Sequence, residues 1–252
     1  MGRQIGLLIE QLRRQSDLQV GINARSSDNA EKENIQVFGT PCPQTFLSPR
    51  TAQGDDIIGR AHTAARKEIK AICPDTKVGI TFSLHDMQFD ESGREDADRA
   101  WKDEFSHYLP YICDDDFVGV QNYTRSLFGG LKPTCPLTQM GYENYPEALP
   151  HVVRRVYEEA KLPILVTENG IATSDDKERQ RFIDKVISGV TDCCDEGIPV
   201  LGYLHWSLLD NFEWQKGYEM TFGLVQVDRK TLNRVPKDSL RLLGSYRIKE
   251  SE

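Results

Sequence analysis

No stretch of the 252 residues holds the roughly 18–20 consecutive apolar side chains that a membrane-spanning helix needs. The first twelve positions carry Arg3 and a short, largely apolar run at 5–9, too little for a secretory leader, so the expected compartment is the cytoplasm. Cysteine is present but unpatterned. Six occur, none in a C-x-x-C pair, and the one close pair, Cys193 and Cys194, is adjacent in sequence. Adjacent cysteines suit neither ordinary disulfide geometry nor a zinc knuckle, so all six are read as reduced thiols. His62, His85, His107, His151 and His205 are scattered, with none at ligand spacing to another, and no metal is expected. A phosphate-cradling glycine loop is also missing; Gly129-Gly130 reads as a turn, and no cofactor is expected. Positive charge is short as well. Lys and Arg number 31 against 39 Asp and Glu, a net charge of −8, which argues against a general partner in nucleic acid or an anionic membrane.

What is present is the composition of a folded domain: 38% hydrophobic and 28% charged residues, in a length that can bury a sizeable core. Residues 1–60 read as an irregular segment. Short apolar runs there are separated by the polar stretch 23–34, and Pro41, Pro43 and Pro49 break regular structure. From 61 onward a regular alternation sets in. Helices are expected at 61–72, 97–112, 149–160, 176–196 and 237–246, and strands at 78–84, 117–123, 164–167 and 200–205. Thr173-x-x-Asp176 has the spacing of a capping box, and Gly197 that of a helix exit. Strands that are apolar throughout and alternate with helices imply parallel pairing, covered on both faces. The expected class is α/β, with four βα units where a closed (β/α)₈ barrel needs eight: a partial TIM-type barrel over 61–252.

In parallel α/β folds, chemistry gathers where strands end. Glu168-Asn169-Gly170 follows the apolar run 164–167, placing a carboxylate at a sheet mouth; a helix-capping acid or a solvated loop charge fits the spacing equally well. The run Trp206-Ser207-Leu208-Leu209-Asp210-Asn211-Phe212-Glu213-Trp214 follows the strand at 200–205. Aromatic planes interleaved with acids suit a sugar ring, which stacks its apolar face while carboxylates accept its hydroxyls. Core aromatics beside solvated acids would read the same way. A third strand end offers Asn122-Tyr123-Thr124-Arg125.

Together these residues resemble the C-terminal half of glycoside hydrolase family 1, the β-glucosidase family. Val166-Thr167-Glu168-Asn169-Gly170 matches its nucleophile motif, and Gly202-Tyr203-Leu204-His205-Trp206 running on to Trp214 matches its sugar-binding segment. Phe222-Gly223-Leu224-Val225, Val227-Asp228, Gly141-Tyr142-Glu143-Asn144-Tyr145-Pro146-Glu147 and Arg234-Val235-Pro236-Lys237-Asp238-Ser239 resemble further family segments. The resemblance implies retaining hydrolysis of β-glucosides or related β-glycosides, with a small carbohydrate as partner. It implies Glu168 as nucleophile, with Tyr123 hydrogen-bonded to it. Trp206, Glu213, Trp214 and Phe222 would line the sugar pocket, Gln121 would stand where many members have Asn, and His205 would be a packing residue.

One part of the pattern is missing. The family's acid/base lies in an Asn-Glu-Pro motif, and this sequence has none; Glu31-Lys32-Glu33-Asn34 supplies the nearest carboxylates in the corresponding region, Glu31 and Glu33. A retaining glycosidase needs two carboxyl groups. The expectation is therefore a truncated family member of weak or no activity; the alternative is a non-catalytic carbohydrate-binding or regulatory remnant. Strands left unpaired at the edges of a half-sheet would invite self-association.

Overall fold

The computed structural model describes residues 51–214 and 216–246, with isolated positions 32, 35, 36 and 39. Glu31, Glu33 and most of the segment expected to be irregular lie outside the described residues. The chain divides into two compact units, Met1–Ile58 and Gly59–Glu252.

Helix α1 (Ala52–Ile72) begins where the Thr51 hydroxyl accepts the Gly54 amide at 3.0 Å, and it ends just before Pro74. Strands β1 (Thr81–Ser83) and β2 (Asp86–Phe89) follow, then α2 (Arg94–Glu104), a single-turn α3 (Leu109–Ile112), and strands β3 (Val118–Gln121) and β4 (Arg125–Phe128). The second half runs α4 (Ala148–Ala160), β5 (Ile164–Asn169), α5 (Asp176–Asp195), β6 (Val200–His205), β7 (Val225–Val227), β8 (Arg234–Pro236) and α6 (Asp238–Ser245).

β1, β3, β5 and β6 form one parallel sheet in that order. β2 pairs in parallel with β4, and β7 pairs antiparallel with β8. The core joins Phe82, Val118, Val120, Ile164 and Val166 of the sheet to Trp101 and Phe105, to Val152 and Val156 of α4, and to Phe182 and Val186 of α5. Each such side chain contributes about 1.5–3 kcal/mol by leaving water. Alternation is visible in β1, where Phe82 enters this core while Thr81 and Ser83 are exposed. Two glycines let backbones approach closely. A Cβ on Gly170 would stand 1.9 Å from the Trp206 carbonyl oxygen, and one on Gly119 would stand 2.7 Å from Thr81 Cβ.

Several expected elements are corrected. The helix expected at 97–112 is broken into α2, a 3₁₀ turn at Ser106–Tyr108 and α3. Pro110 lacks the amide that a continuous helix would need and sits instead in the first turn of a new one. α1 starts at Ala52, well before position 61. β5 extends to Asn169, so Glu168 lies within the strand and does not follow it. α5 is capped by Asp175, whose carboxylate accepts the Lys177 amide at 2.9 Å, and not through a Thr173 capping box. Thr173 accepts the Asp175 amide and donates to Glu178. β2 and β4 were not anticipated, nor was the β7–β8 hairpin.

Candidate active site

The sheet's register creates the site. β3 and β5 pair regularly up to Val120 and Val166; then a register shift sets Gln121 opposite Glu168. Such irregularities re-aim side chains at strand ends. Here the result is convergence on one carboxylate. Gln121 Nε2 donates to Glu168 Oε1 at 3.0 Å, and the Tyr123 hydroxyl donates to Glu168 Oε2 at 2.5 Å. Each oxygen is thus held by a different neighbour. Burial pushes the Tyr123 phenol far above its ordinary range, and the charges of Glu168 and Glu213 push it further, so it stays protonated and remains a donor.

Phe222 is buried and meets Tyr123 edge-on, with ring centroids 6.0 Å apart. Glu213 is buried at the base of a tight turn in which its backbone bonds that of Gly217 at 2.7 and 2.9 Å. Trp214, next in sequence, is half exposed. Trp206, partly buried, follows β6 directly, and its amide donates to the Asn169 carbonyl at 2.8 Å. The Trp206–Ser207 peptide is cis. Of the residues singled out by sequence, Gln121, Tyr123, Glu168 and Phe222 meet directly, and Glu213 acts on Tyr123 through its charge. Trp206 and Trp214 stand on the neighbouring strand end and the loop beyond it.

A ladder of amides fixes these strand ends. Asn122 Nδ2 donates to the Leu84 and Thr124 carbonyls, both at 2.9 Å. Asn169 Nδ2 donates to the Asn122 carbonyl at 2.7 Å, and Asn169 Oδ1 accepts the Tyr203 hydroxyl at 2.9 Å. That hydroxyl lies 3.1 Å from His205 Nδ1, while His205 Nε2 is buried with no hydrogen-bond partner. Burial holds the His205 ring down to about 3, with Arg179 and Lys237 adding to the effect, so the imidazole is neutral near pH 7.

Two supports rest on pairings that the motifs did not announce, although Arg125 and Glu143 each stand in one. Arg125 makes a forked pair with Glu143, at 3.0 and 2.9 Å, bonds Gln88 Oε1 at 2.8 Å, and stacks 4.0 Å from the Tyr145 ring centre. Glu143 also accepts the Thr134 and Cys135 amides, and Arg125 first among these partners holds its carboxyl down to about 2. Arg179, fully buried, donates to Asp176 at 2.7 Å, to the Thr221 carbonyl at 2.6 Å and to the Thr173 carbonyl. It thereby ties the start of α5 to the segment carrying Phe222. The available signal was an arginine in the first turn of a helix, which is usually a surface residue.

Among the described residues, no three or more His, Cys, Asp or Glu side chains gather as a metal site would require, and no helix is long and apolar enough to cross a membrane.

The chain is 35% identical to Beta-glucosidase A of Thermotoga maritima over 169 residues, 59% of this chain and 37% of that one. It is 36% identical to a Beta-galactosidase of Sulfolobus acidocaldarius over 136 residues, 46% of this chain and 28% of that one. It therefore spans well under half the length of these relatives. A beta-glycosidase crystal structure superposes with a TM-score of 0.78 at 35% identity, covering 88% of this chain and 57% of the other. The parallel sheet and its helices are thus part of a TIM barrel. Residues 121–250, which carry Glu168, Tyr123 and the run from Trp206 to Phe222, match the model of Glycosyl hydrolase family 1, and the chain belongs to that family.

Proposed function

We propose that residues 61–252 form a β-glycoside-processing domain in which Glu168 is the nucleophile of a retaining mechanism, acting on β-glucosides or β-galactosides. The observation that carries this reading is the carboxylate of Glu168, clamped at a strand end by Gln121 and Tyr123. Held at both oxygens, it is oriented before substrate arrives, which removes part of the entropic cost of attack. A Glu168 oxygen bonds to the anomeric carbon as the glycosidic C–O bond breaks, and the electron pair leaves on the aglycone oxygen. Trp206 would stack on the sugar, Glu213 and Trp214 would bind its outer hydroxyls, and Phe222 would line the same pocket. His205 packs and takes no proton. A reducing compartment, the cytoplasm, belongs to the same proposal; Cys73, Cys113, Cys135, Cys193 and Cys194 stand in no disulfide.

With no Asn-Glu-Pro motif in the 252 residues, the leaving oxygen departs without a family-type acid. General acid catalysis is worth roughly 10²–10⁴-fold. Turnover is therefore confined to aglycones that leave as stable anions. Incubation with a 2,4-dinitrophenyl 2-deoxy-2-fluoro-β-glucoside should add one fluoroglycosyl group, found by peptide mass spectrometry on Glu168 and absent from Glu168→Gln. Cellobiose should remain intact. A label on another carboxylate, or rapid cleavage of cellobiose, would remove Glu168 or the missing acid from the account.

A further inference from the structure

We propose that two copies of this chain close on one another, the β6 edge of each pairing in parallel with the β1 edge of the other, to complete an eight-stranded barrel. The argument starts from the sheet order β1-β3-β5-β6, parallel throughout. Among the described residues nothing pairs with the outer side of either end strand. The β6 edge is also apolar where it is exposed: Leu201 is 54% and Leu204 55% accessible. On β1, Thr81 and Ser83 stand on the sheet face opposite Phe82, the Thr81 hydroxyl 2.5 Å from that of Thr167, so the outer edge of β1 is bare backbone.

Symmetry narrows the occupant. A twofold axis along the strands keeps their direction, so β6 of one copy meets β1 of the other in parallel, and the same contact recurs on the far side. The two seams are equivalent by the twofold, so the interface is isologous and closed at two copies, leaving no free edge to propagate. Strand number agrees, since four strands from each copy give the eight of a closed parallel barrel. A perpendicular axis would instead pair β6 with β6 antiparallel, setting leucine against leucine and leaving both β1 edges open. Closure by twofold also puts the two Glu168 side chains on strands four apart, on opposite sides of one mouth. That is not the roughly 5–5.5 Å spacing of a retaining pair, so the dimer would not supply the missing acid. The assembly therefore does not rest on the glycosidase reading.

Light scattering on the full chain over a concentration series should give twice the chain mass, and Leu201→Lys with Leu204→Lys should give a monomer with unchanged far-ultraviolet circular dichroism. A photo-crosslinking phenylalanine at position 204, in a mixture of light and heavy-isotope chains, tests the geometry without relying on those variants. The expected product joins position 204 of one copy to peptide 78–94 of the other, across isotopes. A monomer at every concentration would overturn the proposal. So would a 204-to-204 crosslink, or a double lysine variant that remains dimeric.

Discussion

Glu168 meets its two donors on different oxygens, and the consequences of losing one are calculable. A hydrogen bond to a charged group contributes about 1.5–3 kcal/mol, and the Tyr123 contact at 2.5 Å is the shorter of the two. Tyr123→Phe keeps the ring against Phe222 but frees Glu168 Oε2 to rotate. The rate of fluoroglycosyl labelling should fall roughly 10- to 100-fold while the thermal transition barely moves. Equal labelling rates would show that Gln121 alone suffices. The pair Tyr123–Glu168 was implied by the family resemblance of the motifs that carry them, whereas the strand ends alone left Glu168 open to a capping or solvated role. The contribution of Gln121 was less legible, since a one-residue register shift between β3 and β5 brings it opposite Glu168, and the periodicity of either strand carries no trace of that shift.

His205 makes a second residue-scale prediction. Its ring is held down to about 3 by burial when folded, whereas an unfolded histidine protonates near 6.5. The unfolded chain therefore binds a proton that the folded one refuses. The associated stability is complete above pH 6.5 and declines as pH falls toward 3. Between pH 6.5 and 5 this amounts to about 2 kcal/mol, before ordinary carboxylates titrate. Asp115, raised by burial, acts with the opposite sign as it protonates, so the Asp115→Asn background is the one in which to compare His205 variants. His205→Gln should flatten the loss of Tm over that interval; a decline as steep as wild type would assign the acid sensitivity elsewhere.

At the scale of elements, the loop after β6 is fastened by charge placed inside the protein. Lys237 Nζ lies 3.2 Å from Asp210 Oδ1 and donates to the Gly223 carbonyl at 2.6 Å, while Asp210 accepts the Gly223 amide at 2.8 Å. These bonds join the β6 loop to the segment before β7 and to the start of α6. Burial, with Arg179 nearby, pulls the lysine down from its usual range, and Asp210 opposes this. Removing one partner strands the other in a poorly solvated site, at a cost of about 3 kcal/mol. Lys237→Met should lower Tm by roughly 6–12 °C in a domain of this size, whereas Lys102→Met, exposed on α2, should leave it unchanged. A shift within error for Lys237→Met would mean that Arg229, bonded to the Asp210 carbonyl at 2.6 Å, and the Gly223 amide hold the loop without it. At this scale the sequence reading succeeded where hydrophobic period decides: of the five residues whose spacing turns them inward on α5, Phe182, Ile183, Val186 and Val190 are buried and Ile187 is half-buried. It failed where the chain is organised by partners distant in sequence. β2 and β4 have four residues each and are strands because they pair with one another, which composition does not announce.

Across the whole molecule, protection against opening should follow the order of the sheet. β3 and β5 each have a neighbour on both sides, and their side chains Val118, Val120, Ile164 and Val166 are fully buried. β1 and β6 each have one neighbour in the same sheet. Local opening costs least where backbone bonds are few and apolar contacts thin, so edge amides exchange through openings that the central strands do not share. In hydrogen exchange at high dilution, amides of 118–121 and 164–169 should be the slowest, and those of 81–83 and 200–205 faster by at least an order of magnitude. Raising the protein concentration should then slow the edge strands alone, because pairing with a second copy protects β1 and β6 and leaves β3 and β5 as they were. Edge amides that exchange as slowly as central ones at every dilution would mean that their outer sides are covered within the monomer. Edge amides that stay fast at every concentration would mean that two copies do not meet there.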